Sequence, residues 1–272
     1  MNTRNMLKTG LAVLLVMVFA VSGIACKKKE RQVVVIGTGQ SYEPFCYKDA
    51  DGNLAGYDVE VVREINRRLP DKKFEFEIFE FKNVLVSLAT GKIDVGAHEF
   101  EENADRRKTY LYGDEGYNDY DSYVAVKADG PWANITGIDD LAGNRDAILA
   151  VSTGSNYEAY ARTWNQTHGP DKQLNYVSYD DDYVRDTNVL NGTNAARLGT
   201  TFDINFANTK IPGYNLKAAG SGPVIESKAY FLFKKGDTQL KDDFDRALRE
   251  MKADGALDRI KDRVFTEYFK SL

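Results

Sequence analysis

Two carboxylates stand two positions apart in His98-Glu99-Phe100-Glu101, and Arg106 follows five positions after the second. Carboxylates suit an ammonium, whether an α-amino group or a cationic side chain. With His98 beside them they could instead serve as general acid and base, so the segment also admits an enzyme reading. A guanidinium is a rigid two-pronged donor for a carboxylate, which an ammonium side chain cannot reproduce. Arg106 also lies in the charged run Glu101 to Lys108, where a solvated arginine is the plain reading. A second polar group, Ser152-Thr153-Gly154-Ser155-Asn156, has the composition of a turn that caps a helix. The N–H groups at such a helix start favour negative charge.

Positioning these groups takes strands and helices that the hydrophobic pattern makes visible. Val33-Val34-Val35-Ile36 predicts a strand covered on both faces. Tyr57, Val61, Ile65 and Leu69 recur at helical spacing, and Pro70 ends the pattern. Phe74 to Phe79 alternates as a strand does, Val84 to Leu88 predicts a short helix stopped by Gly91, and Ile93 to Ala97 predicts a third strand. Strand alternating with helix predicts a parallel sheet with helices packed on it. From Tyr120 to Val126 another strand begins and the pattern restarts. Ile148 to Val151 predicts a strand, Tyr157, Tyr160, Ala161 and Trp164 a helix closed by Gly169-Pro170, and Leu174 to Tyr179 a further strand. Ala229 to Phe233 predicts a late strand with a polar turn at Lys234 to Asp237. Leu240, Phe244, Leu248 and Met251 then mark one helix, stopped at Asp254-Gly255, and Leu257, Ile260, Val264 and Tyr268 mark the last. No Gly/Ser linker separates the two units, which predicts two hinged lobes with a small-ligand cleft between them.

The composition narrows the functions. In 272 residues, 28% charged and 43% hydrophobic, there is too much apolar material for a disordered chain. A net charge of -5 repels phosphate backbones, so no nucleic-acid partner is expected. Two cysteines and two histidines give no disulfide scaffold and no expected metal centre. Gly37-x-Gly39 lacks the third glycine of a dinucleotide fingerprint, and no cofactor is expected.

The first 25 residues have the form of a secretory signal peptide: Arg4 and Lys8, an apolar run from Leu11 to Val21, then small residues up to Ala25. Cys26 resembles the lipobox cysteine that is acylated in bacterial lipoproteins, with Gly23 where that motif has an aliphatic residue. Residues 26–31 then form a basic tether beside anionic headgroups. Cys46 is left with no intrachain partner and is expected to be buried. Asn134-Ile135-Thr136, Asn165-Gln166-Thr167 and Asn191-Gly192-Thr193 would be glycosylation sites only in a eukaryotic secretory route, against which the lipobox argues.

Four segments in order resemble the extracytoplasmic amino-acid-binding proteins of bacterial ABC importers (solute-binding protein family 3). They are Tyr42-Glu43-Pro44-Phe45 followed by Gly56-Tyr57-Asp58-Val59; Gly91-Lys92-Ile93-Asp94-Val95 followed by Asn103-Ala104-Asp105-Arg106; Asp139-Asp140-Leu141-Ala142-Gly143 leading to Ser152 to Asn156; and Phe233 to Asp237 followed by Leu248 to Gly255. The resemblance implies an α/β, type II periplasmic-binding-protein fold, with two lobes joined by a two-strand hinge. It divides the chain into lobe 1, 32–120 and 227–272, and lobe 2, 121–226. It implies a substrate-binding component that is not an enzyme, takes a free polar, cationic or cystine-like amino acid, and delivers it to a membrane permease. Such a protein is expected to be a lipid-anchored monomer outside the cytoplasm. A sensor for a membrane receptor and a dehydratase-like enzyme on the same fold are the alternatives.

By the same resemblance Arg106 clamps the ligand carboxylate from lobe 1, and Ser155 and Asn156 add N–H donors from lobe 2. Tyr42 and Phe81 stand where the family places rings against the ligand side chain. The family's usual aspartate for the α-amino group is replaced by Thr200, its neighbour by Ala195, and Asp203 falls out of register. The expectation is therefore that Glu99 or Glu101, flanked by His98 and Phe100, holds the ammonium, with Thr200 contributing a hydroxyl.

Overall fold

In the computed structural model, which describes residues 31–270, the chain opens with β1 (Gln32–Thr38) and a meander of β2 (Ser41–Tyr42), β3 (Cys46–Lys48) and β4 (Leu54–Ala55). Helix α1 (Tyr57–Arg68), β5 (Lys72–Ile78), α2 (Phe81–Ala89), β6 (Val95–Glu101), α3 (Ala104–Thr109) and β7 (Tyr110–Tyr112) follow. Strands β8 (Asn118–Asp119) and β9 (Ser122–Lys127) lead into β10 (Ile148–Ser152), α4 (Asn156–Thr167), β11 (Asn175–Tyr179) and α5 (Asp182–Leu190). The chain ends with β12 (Ala196–Thr200), α6 (Thr201–Lys210), β13 (Leu216–Ala219), β14 (Lys228–Lys234), α7 (Thr238–Ala253) and α8 (Ala256–Lys270).

Two larger sheets organise these elements. The first runs β5-β1-β6-β14-β7, with β8 also on β14; the second runs β11-β10-β12-β9-β13. Strand β1 is parallel to β6 and β10 is parallel to β11 and β12, as the strand–helix alternation predicts. The late strand β14 lies antiparallel beside β6, so the C-terminal segment returns to the first sheet. The chain therefore crosses between the sheets twice, and the crossings bond to each other: Tyr120 N–H donates to Ser227 O at 2.9 Å and Ser122 N–H to Ile225 O at 2.8 Å.

Several expectations are corrected. Strand β1 is covered on both faces only past its first residues: Val33 is 48% exposed, whereas Val34 and Ile36 are buried and Val35, on the Val33 face, packs against the cluster of Val84 and Leu88. The strand expected over Ile93 to Ala97 runs over Val95–Glu101, which puts both candidate acids on the strand itself. The short meander, α5, α6 and β13 are elements that the pattern did not show. Gly56 has φ 118°, and a Cβ there would lie 2.3 Å from the Phe45 carbonyl oxygen, so only glycine lets that loop close on the head of α1. Cys46 is buried, as expected. Cys26, the signal segment and all but Arg31 of the tether lie outside the described residues. Among the described residues no helix is long and apolar enough to cross a membrane.

Phe244 of α7 is fully buried against Phe74, Phe231 and Phe233, with ring centroids 5.2–5.5 Å away. Phe244→Ala is expected to lower unfolding free energy by about 3–5 kcal/mol, read from urea denaturation.

Candidate functional site

Arg106 is placed by the helix that carries it. Asn103 caps α3 by accepting the Arg106 N–H at 2.8 Å. Arg106 is 7% exposed, and its guanidinium lies over the rings of Phe100 (5.5 Å) and Phe81 (5.8 Å). Nη1 donates to the Glu101 carbonyl oxygen at 3.2 Å, and Nη2 reaches the second sheet's turn, donating to Gly154 O at 2.9 Å. The alternative of a solvated arginine is thus excluded.

That turn is built as the sequence requires. Gly154 takes φ 72°, Ser155 caps α4 by accepting the Glu158 N–H at 3.2 Å, and Glu158 accepts the Gly154 N–H at 2.8 Å. Asn156 at the helix head donates to Glu101 Oε1 at 3.1 Å. Arg106, Glu101, Gly154, Ser155 and Asn156 therefore converge between the two sheets. Two exposed ion pairs, Lys82–Asp180 at 3.6 Å and Arg162–Asp105 at 2.8 Å, bridge the same gap; exposed pairs of this kind add little.

Rings form one wall. Tyr42 stacks on His98 at 5.4 Å with planes 9° apart, and His98 meets Phe81 at 5.0 Å. Phe81 in turn stacks on Phe100 at 5.6 Å. The Tyr42 hydroxyl pairs with that of Tyr120, and Ser122 bonds Tyr157 at 3.2 Å. Tyr120 and Tyr157 are buried polar rings that the sequence reading missed; both were assigned to regular strand and helix patterns. Burial pulls His98 down to about 4, so its imidazole is neutral at pH 7.

The two acids have different surroundings. Glu101 faces Asn156 and Arg106, and burial pushes it up to about 7 against the opposing pull of those two groups. Glu99 has φ 47°, an uncommon conformation for a residue with a side chain. Its N–H donates to Asp58 Oδ2 at 3.0 Å and to the Tyr117 hydroxyl at 3.2 Å, while its carboxyl accepts from Asn118 at 2.7 Å. Burial and the Asp58 charge hold Glu99 well above the usual carboxylate range, and burial pushes Asp58 up to about 6. Glu99 therefore holds its proton to a higher pH than a free carboxylate does. Asp58 belongs to a motif visible in the sequence, but its burial at a helix start was not.

Thr200 stands apart from the Arg106 group. It caps α6 by accepting the Asp203 N–H at 3.0 Å and lines a separate pocket beside the crossing strand. Asp203 pairs instead with the fully buried Arg197.

Residues 34–267 match the model for bacterial extracellular solute-binding proteins, family 3. The chain belongs to this family. Its curated relatives include the L-cystine-binding protein TcyK of Bacillus subtilis, 34% identical over 86% of this chain and 83% of that protein. The L-cystine-binding protein TcyJ of Bacillus subtilis is 32% identical over 95% of this chain and 96% of its own length. Among solved structures, a Listeria monocytogenes protein assigned to an L-cystine ABC transporter superposes with a TM-score of 0.74 and 31% identity, covering 85% of this chain and 95% of that one. The type II periplasmic-binding-protein fold is thereby shown for this family 3 protein.

The acids of this solute-binding protein give its stability a definite pH dependence. Glu99 is protonated in the folded state at pH values where the unfolded chain has released that proton, so the unfolded state binds fewer protons and stability falls as pH rises. His98, depressed by burial, works in the opposite sense only below its unfolded range near 6.5. Above about pH 6.5 the urea midpoint of the wild type is expected to fall as pH rises, Glu101 at about 7 acting in the same sense as Glu99. Glu99→Gln, which cannot titrate and whose amide oxygen can still accept from Asn118, is expected to flatten that slope.

Proposed function

We propose that this family 3 protein is the substrate-binding component of an ABC importer, closing around a free amino acid of the cystine class and presenting it to a membrane permease. The observation that carries the reading is the meeting of the Arg106 guanidinium with the Gly154 turn at the head of α4. A ligand carboxylate would take over from Gly154 O as acceptor for Arg106 Nη2 and receive the N–H groups that open α4. Glu101 would hold the α-ammonium: it lies beside Arg106 and Asn156, and binding a cation would draw its proton off. Glu99 is committed to Asp58 and Asn118, and Thr200 to its cap, so neither is assigned the ammonium. Tyr42, His98, Phe81 and Phe100 would offer a ring wall to the ligand side chain. The cystine class is favoured because the relatives named above bear that name.

In this reading the hinged lobes comprise 32–120 with 227–272, and 121–226. The ligand leaves unaltered, so the protein is a binder and not an enzyme, working as a monomer. Cys26 carries a lipid anchor after removal of residues 1–25, holding the protein on the outer side of the cytoplasmic membrane. Cys26→Ser would then move the protein from the membrane fraction to the soluble fraction; an unchanged distribution would refute the anchor.

A thermal-shift screen of the common amino acids is expected to give its largest rise with L-cystine, because a ligand that binds only the folded state raises the melting point. Micromolar capture corresponds to about -8 kcal/mol. Arg106→Ala is expected to weaken binding by about 100-fold or more with the fold intact, and Glu101→Gln by about 10-fold or more, whereas Glu99→Gln stays within about 3-fold. Calorimetry reads all three, and undiminished affinity in Arg106→Ala would refute the site.

A further inference from the structure

Helix α6 carries apolar residues on two faces. Ile204 and Ala207 are buried, and Ile204 packs with Ala125, Ala150 and Leu216 on the second sheet. Phe202 and Phe206, four positions apart, share the opposite face and are only half-buried. A helix that packs on one sheet needs one apolar stripe. The second stripe of α6 serves a different contact.

That contact is with α8. Phe202 lies 4.8 Å from Phe265, and Phe206 lies 5.5 Å from Tyr268. Phe45, from the meander, meets Phe202 edge-on at 5.6 Å. These partners are fixed on the side of the first sheet. Helix α8 packs on α1 and α7, Phe265 stacks on Tyr57 at 5.8 Å, and Tyr268 meets Tyr47 at 5.3 Å. The Phe45 carbonyl accepts the Asp58 N–H at the head of α1 at 3.0 Å. The α6–α8 seam therefore bridges the two sheets as the Arg106–Gly154 bond does, but through rings and with none of the same residues. A pocket of about 350 Å³ runs beside it, with Thr200 and Phe202 on one side and Phe45 and Phe265 on the other, so the two surfaces touch without merging into one core. Parting them would put the rings in water, at a cost that grows with the apolar area exposed.

We propose that the α6–α8 seam is a ligand-independent latch, in which Phe202 and Phe206 hold the two lobes together before any amino acid arrives. The inference rests on the hinged, closing protein proposed above. A ligand that binds the closed arrangement then has less closing to drive, and its apparent affinity scales with the fraction of ligand-free protein already closed. Phe202 and Phe206 are thus positioning residues: they set affinity from outside the group of side chains assigned to the ligand.

The test uses the whole mature protein carrying Cys26→Ser, with nitroxide labels at the exposed positions Lys73→Cys on β5 and Gln166→Cys on α4. Cys46 is fully buried and stays unlabelled. Pulsed electron paramagnetic resonance reads the distance between the labels without ligand, and calorimetry reads L-cystine affinity. Phe202→Ala and Phe265→Ala delete one contact from opposite sides, and each is expected to shift the ligand-free distances to longer values. Each is expected to weaken L-cystine by about 3-fold or more, in proportion to the closed fraction lost. Combining the two is expected to add little to either alone, because both remove the same contact. Phe206→Leu, a milder change, is expected to lengthen the distance in the same sense by less. Circular dichroism checks that the variants remain folded. Ligand-free distances that neither alanine substitution lengthens, or weaker binding with no lengthening, overturn the latch. Variants that open but are not drawn back by L-cystine support the latch and refute the ligand class instead.

Discussion

A guanidinium removed from water must find acceptors or destabilise the fold, and Arg106 meets that demand in a particular way. One acceptor, the Glu101 carbonyl, belongs to its own sheet; the other, the Gly154 carbonyl, belongs to the opposite one. The second bond exists only when the two lobes are together. A neutral carbonyl is a weaker partner for a cation than a carboxylate. In the proposed function, that contact holds the two sides together and yields to an anionic ligand. Closure and selection of a carboxylate would then be two aspects of one hydrogen-bonding requirement.

The acids near that arginine follow from the same low-dielectric surroundings. Glu99 and Glu101 are two residues apart, yet they sit in different company. Glu101 faces the opposite lobe and can ionise when a cation arrives. Glu99 is turned back by its positive φ toward Asp58, and two carboxyls in one buried site cannot both ionise at little cost. One acid is thus available to a ligand. The other ties β6 to the start of the crossing strand through Asn118 and Tyr117.

Much of this was legible in the sequence, and the limits have physical causes. The helices of Tyr57–Arg68 and Thr238–Ala253 carry strong 3.6-residue stripes because each packs one face on a sheet. Arg106, Ser155 and Asn156 could be picked out because an ordered set of motifs surrounds them, not because of their own neighbourhood. Alternation alone could not tell the orientation of Glu99 from that of Glu101, since it assumes a regular strand and Glu99 breaks the regularity. Thr200 was assigned with the cleft because alignment to a motif fixes position along the chain and not which pocket a helix head faces. Helices α5 and α6 escaped because Arg185 and Asp186 of the first and Asp203 of the second join Arg197 of β12 in a buried ion network where an apolar stripe would otherwise stand.

The return of β14 to the first sheet has a consequence for motion. Because the chain leaves the first sheet after β8 and returns to it at β14, the two sheets are joined by two antiparallel segments that bond to each other. A single flexible linker would let the lobes separate in any direction and would make closure pay a large entropic cost. Two paired segments confine the movement to bending about one axis, which is the hinge class of domain motion. Arg106 then needs no search to find the Gly154 turn; the crossing strands have already restricted its path.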